Sequence, residues 1–115
     1  MNALKNKVQL IGRLGAKAEL KTTANGKVFA KVRLATNENY TNVKGEKVRE
    51  TTWHNLIAWG KTAEIMHKYT DKGTEIAVEG KLVNREYVGK DGVKRQYTEV
   101  QVNEVLLTGD KSAVS

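Results

Sequence analysis

The sequence predicts an all-β fold: a small Greek-key barrel of five strands, with one short α-helix between the third and fourth. Three observations carry this expectation. Runs in which apolar and polar residues alternate with period two recur through most of the chain. Glycine-centred turn signals separate them, and only one stretch, 60–73, changes to helical spacing. At 115 residues the chain suits one hydrophobic core. The expected organisation is a domain over 1–107 followed by a short flexible C-terminus over 108–115, where "TGDKSAVS" has nothing to bury.

The elements follow in order. "NKVQLIGRL" (6–14) alternates Val8 and Leu10 with Lys7 and Gln9 and closes on Gly12 and Gly15. "ELKTTANGKVFAKVRLATNENY" (19–40) is two extended runs about Asn25-Gly26, a strong hairpin signal. In its second run Val28, Ala30, Val32 and Leu34 share one face, while Phe29, Lys31, Arg33 and Asn37 share the other. "TNVKGEKVRET" (41–51) is polar about Gly45 and reads as a loop or hairpin tip. A strand over 48–59 follows, with Trp53, Asn55, Ile57 and Trp59 on one side and His54, Leu56 and Ala58 on the other. "GKTAEIMHKYTDKG" places Ile65, Met66 and Tyr69 at helical spacing, adds a Glu64/Lys68 pair, and stops at Gly73. Tyr69 is expected in the core. Strands over 74–89 and 93–107 flank the turn "KDG". Five strands with a single helix after the third is the connectivity of the oligonucleotide/oligosaccharide-binding barrel.

The rings are distributed in a way that bears on function. One face of strand 48–59 supplies the core wall with its neighbour, so Trp53 and Trp59 on the other face read as open platforms beside Phe29, Lys31 and Arg33. Phe29 either joins that surface or covers a core edge. Tyr40 ends one strand, and Tyr87 and Tyr97 lie among Arg85, Lys90, Lys94 and Arg95. Rings interleaved with cations suit an unpaired nucleic-acid strand: bases stack on rings and phosphates run along basic side chains. The formal charge of +7, from 20 basic against 13 acidic residues, favours a polyanionic partner in the same sense.

Other classes fit poorly. The chain has no cysteine, and its 13 acids are scattered without a DxD-like pair. His54 and His67 are the only histidines, and "GRLG" (12–15) lacks the Lys-Ser/Thr of a phosphate loop. No enzyme activity, cofactor or metal is therefore expected. An RNA-binding module of the same architecture stays open, because stacking does not sense the 2′-hydroxyl. A pure assembly role conflicts with the lysines among the rings, since interface cores are depleted of Lys. No run approaches the ~18 apolar residues of a membrane span, and "MNALKNKVQL" lacks a signal-peptide core, so a cytoplasmic location away from membranes is expected.

"NKVQLIGRLGAKAEL", "NGKVFAKVRLATNENY", "TTWHNLIAWGKTAEIMHKYTDKG", "VEGKLVNREY" and "RQYTEVQV" together resemble the bacterial single-stranded DNA-binding protein family. The likeness runs from about Asn6 to Leu107. It implies a homotetrameric barrel that coats single-stranded DNA, associated with the nucleoid, during replication, recombination and repair. The family's four stacking positions fall on Tyr40, Trp53, Trp59 and Tyr87. Two positions often occupied by Trp thus carry Tyr, and one often Phe carries Trp. Phe29, Lys31, Arg33, Asn55, Arg85, Lys90, Lys94 and Arg95 stand as phosphate-contacting or supporting residues. The resemblance assigns His54 to a subunit contact and Lys7, Val8, Gln9 and Leu10 to dimer pairing. Family members commonly continue into a Gly/Pro/Gln-rich tail with an acidic tip that recruits other proteins. This sequence stops at "TGDKSAVS", as a truncated core or a short paralogue would, so tail-mediated partners are not expected.

Overall fold

The computed structural model describes residues 5–108. The elements are β1 (Val8–Leu14), β2 (Glu19–Thr22), β3 (Val28–Thr41), β4 (Lys47–Trp59), α1 (Gly60–Tyr69), β5 (Glu75–Val88) and β6 (Lys94–Leu107). They form one sheet in the order β1-β5-β6-β4-β3-β2, and an additional β1–β3 pairing closes five of the strands into a barrel. The short β2 lies outside the closed ring, paired only to β3. The all-β class, the barrel and the position of the single helix agree with the sequence reading.

Closure rests on two short contacts. β1 reaches β3 only at Arg13↔Ala35 and Leu14↔Leu34, and β4 meets β6 in parallel at Leu56↔Val100 and Ile57↔Gln101. Gly12 is required where β1 crosses: a Cβ there would collide with the Ala35 carbonyl. A bulge opposite Glu79/Gly80 leaves Asn103 unpaired and shifts the phase of β6, so Val100 and Val102 face inward before it and Val105 after it.

The interior is filled by Leu14, Ala30, Val32, Leu34, Leu56, Ala58, Ile76, Val78, Val100 and Val102, with Ala63 and Met66 of α1 added to the same cluster. The apolar wall expected on β3 and β4 is present, although Val28 and His54 are only half-buried. Ile57 departs from the expectation: it lies on the tryptophan side of β4 yet is buried.

Three hairpins share one turn design. In Thr23–Lys27, Asn42–Glu46 and Gly89–Val93 the fourth residue is a glycine with φ near +80°, which donates to the first carbonyl. The first and fifth residues then close the ladder. At Asn25-Gly26 only the glycine is left-handed, so the turn is longer than a two-residue loop.

The helix requires two corrections. It ends at Tyr69 rather than running to Gly73: Thr70 is extended, its Oγ1 donates to the Met66 carbonyl, and Lys17 Nζ donates to the His67 and Thr70 carbonyls. Those side chains satisfy the last carbonyls of α1, and Gly73 serves the following Asp71–Thr74 turn. Tyr69 is not in the core but 55% exposed. The buried stripe runs through Ala63, Met66 and Thr70, and Tyr69 points roughly a quarter turn away from it at about 100° per residue.

Thr108 donates to the Glu75 carboxylate at 2.8 Å. Positions 109–115 of the C-terminal segment lie outside the described residues. Among the described residues no helix is long and apolar enough to cross a membrane.

Candidate nucleic-acid interface

The pleat of two strand pairs assembles the site. In β3–β4 the register sets Phe29 against Trp59, Lys31 against Ile57, Arg33 against Asn55 and Ala35 against Trp53. In β5–β6 it sets Arg85 against Tyr97, Tyr87 against Arg95 and Val83 against Glu99. Residues two apart share a face, so on each pair rings and cations fall on one side of the sheet. The β4–β6 contact joins the two pairs. Between them lies a shallow groove lined by Lys31, Arg33, Asn55, Tyr97 and Glu99.

The rings differ in how freely they stand. Trp53 is 47% exposed, with the Arg33 guanidinium 4.6 Å from its ring centre. Its outer edge rests over Gly15, where a methyl group would come within 2.8 Å of Trp53 Cζ3. Trp59 is half-buried and tilts against Phe29, with centroids 5.3 Å apart. Phe29 therefore joins the ring surface as a support for Trp59. Tyr87 is exposed and meets Tyr97 edge-on at 5.8 Å.

Two predicted residues are not brought to this surface. The register from Phe29 to Thr41 is unbroken, so Tyr40 falls in the alternate set with Val32 and Leu34, not with Arg33. It lines a separate depression with Asn39, Thr41, Lys47, Val48 and Arg49 on the ribbon beyond the barrel. Lys94 is paired with Val88 and takes the face opposite Tyr87. Lys90 is exposed at the hairpin turn.

The charges are organised by two carboxylates. Glu99 is only 2% exposed; its Oε1 accepts from Arg85 Nε at 3.0 Å, and its Oε2 lies 3.8 Å from Lys31 Nζ. That ammonium is also 5.8 Å from the Tyr97 ring centre, within cation–π range. At the hairpin tip Arg95 pairs with Asp91 at 2.8 Å. The Arg95 hydrogen bond, helped by the Val93 amide, holds the Asp91 carboxyl below the ordinary carboxylate range.

The residues assigned to subunit contact lie elsewhere. Lys7 is bonded to Glu79 at 2.8 Å, which raises the lysine's pKa and lowers the carboxyl's. Gln9 reaches the same carboxylate, and Val8 and Leu10 pack partly on the core. His54 Nε2 is 3.0 Å from Thr36 Oγ1. Beside β1, Ile11, Ala77 and Leu106 are aligned across β1, β5 and β6. Ile11 and Leu106 are 64% and 67% exposed, so this outer face is an open apolar row.

Sequence reasoning did not assign Glu99, Gly15, Ile11 or Leu106 to these sites. Glu99 had a readable signal: it continues the set of Arg95 and Tyr97 on alternate residues. Gly15 had none, because only the fold carries Trp53 over it. His67 Nδ1 is 2.9 Å from the Ala18 carbonyl, and among the described residues no three His, Cys, Asp or Glu side chains converge. At "GRLG" the Gly15 amide donates to the Arg33 carbonyl as a strand-end bend.

Comparison with known proteins gives a consistent result. Residues 5–108 match the model of the single-strand binding protein family. The single-stranded DNA-binding protein of Neisseria meningitidis serogroup A is 37% identical over 107 residues, which cover 93% of this chain and 62% of that protein. Single-stranded DNA-binding protein 1 of Chlorobaculum tepidum is 37% identical over 109 residues, 94% of this chain and 67% of its own. The chain thus spans about two thirds or less of the length of these relatives. A solved structure described as the Plasmodium falciparum SSB complex with ssDNA superposes with a TM-score of 0.78 at 29% identity, over 92% of this chain and 97% of that one. Matched along nearly all of its described length by both sequence and backbone, this chain belongs to the single-strand binding protein family.

Proposed function

We propose that the chain binds single-stranded DNA without reading its sequence and performs no catalysis on it. The observation that carries this is the joined face of β3, β4, β5 and β6. On it Trp53, the Phe29–Trp59 pair and the Tyr87–Tyr97 pair alternate with Lys31, Arg33 and Arg85. A base stacked on such a ring gains about 1–3 kcal/mol, and every base has a π-face. Six phosphate contacts would make log affinity fall with log salt at a slope of about −4, taking ~0.7 per phosphate. Tyr40, on the ribbon and off this face, would add a separate stacking platform, while Arg95 at the hairpin tip extends the face and Asn55 offers its amide along it. Membership of the family, and the likeness in backbone to a Plasmodium protein solved with ssDNA, support the same partner.

The test is titration with oligo(dT), read by tryptophan fluorescence. Strong quenching that weakens with salt is expected. Trp53→Ala should cost about 1–3 kcal/mol in binding with little loss of stability, whereas Trp59→Ala, removed from Phe29, should lower both. A folded Trp53→Ala protein with unchanged affinity overturns the reading, as does release of nucleotides in Mg²⁺ or Ca²⁺. Competition between poly(dT) and poly(U) separates DNA from RNA binding.

The biological setting belongs to the same proposal: cover for exposed strands during replication, recombination and repair, in the cytoplasm at the nucleoid. The assembly would be a homotetramer, with residues 7–10, at the start of β1, and His54 at its contacts. The exposed row Ile11–Ala77–Leu106 supports self-association, because open apolar faces mark contact surfaces. The domain would span 1–107.

A further inference from the structure

Glu99 stands out from the surface it lies under: it is a nearly inaccessible carboxylate in a groove read as a site for a polyanion. Burying a charge is costly unless it is paired and hydrogen-bonded, and Glu99 meets that cost with two cations rather than one. Its two partners are not equivalent. Arg85 Nε donates a hydrogen bond at 3.0 Å to Oε1. Lys31 Nζ lies at 3.8 Å from Oε2, an ion pair beyond hydrogen-bond range, and is half-exposed over the edge of the groove beside Tyr97.

Resting on the strand-binding reading above, we infer that Glu99 is a positioning residue that divides the labour of these two cations. It retains Arg85, itself 40% exposed, as a hydrogen-bonded counter-charge and leaves Lys31 free to exchange the carboxylate for a backbone phosphate. The reason is differential cost. Pulling Arg85 away strips a buried carboxylate of its hydrogen bond, whereas moving Lys31 outward breaks only a long, half-solvated pair. Arg85 is then not a phosphate contact, although its place in the sequence suggests one. Glu99 limits the number of phosphates neutralised and so sets how strongly binding responds to salt.

The experiment measures oligo(dT) affinity against salt for the full chain and three variants, with thermal unfolding in parallel. Glu99→Gln keeps the shape and an acceptor for Arg85 but removes the charge. Its log–log slope should steepen by about 0.7, one further phosphate contact; between 50 and 200 mM salt that is roughly a 2.6-fold larger loss of affinity. Arg85→Gln/Glu99→Gln should return to the wild-type slope, since Arg85 contributes no contact in the native protein. Lys31→Gln should make the slope shallower by about 0.7. A folded Glu99→Gln protein with the wild-type slope, or a double variant whose slope is shallower than wild type, overturns the inference. The double variant decides alone if Glu99→Gln fails to fold. A merely structural carboxylate would lower the unfolding temperature and leave the slope unmoved. If the wild-type chain shows no salt-dependent binding, the strand-binding reading has failed instead.

Discussion

The indole of Trp53 is set by a residue with no side chain. Gly15 lies against its outer edge, and a Cβ there would come within 2.8 Å of Cζ3. Because the conflicting atom is the far end of a side chain rather than backbone, Gly15→Ala should leave the fold intact and turn the ring instead. Affinity for oligo(dT) should fall by up to about the 1–3 kcal/mol of one stacked base, with unfolding temperature little changed; unchanged affinity would show that the ring's seat is immaterial. Charge can be tested at the same scale. The Asp91 carboxyl is depressed by Arg95 and the Val93 amide, so its contribution to the hairpin tip is present above the ordinary carboxylate range, near pH 4. It is lost as pH falls through the lower folded value. An NMR titration should find Asp91 ionising below that range, and Arg95→Gln should move it upward.

At the scale of elements, the β3–β4 hairpin has two parts. From Phe29 to Ala35 it is a wall of the barrel; beyond, from Glu38 to Glu50, it is a ribbon with no buried residue. The ribbon contains Lys44, Lys47 and Arg49 against Glu38, Glu46 and Glu50, so removing it leaves net charge unchanged. Replacing 38–50 by Asn-Gly should therefore preserve folding and isolate Tyr40. Binding to a long oligo(dT) should weaken by about one stacked base, 1–3 kcal/mol, and tryptophan quenching should persist. Full affinity in the shortened protein would remove Tyr40 from the binding surface. The hairpin β5–β6 differs: its inner half is core, and its outer half carries Tyr87, Tyr97 and Arg95.

Across the whole molecule, two surfaces of opposite character lie on different strand sets. Rings and cations occupy β3, β4 and the outer β5–β6 hairpin, whereas the apolar row Ile11–Ala77–Leu106 occupies β1, β5 and β6. If the row is the self-association surface, Ile11→Glu should lower the mass in solution, measured by light scattering, without unfolding the barrel. Ile11 is exposed in the single chain, so its replacement costs no core packing. An unchanged mass would send the subunit contact elsewhere.

The sequence by itself determined the strands, the single helix, the turn glycines and the meeting of rings with cations on β3 and β4. Each of these is local: a period of two or 3.6, or a residue type that a turn demands. The pairing across β4 and β6, the bulge at Asn103, and the hold of Glu99 on Lys31 and Arg85 were decided only by tertiary structure. So were the exposure of Tyr69 and the separation of Tyr40 from Trp53. Those features depend on register and closure between strands far apart in the chain, and alternation along one strand carries no information about which carboxylate will arrive beneath it.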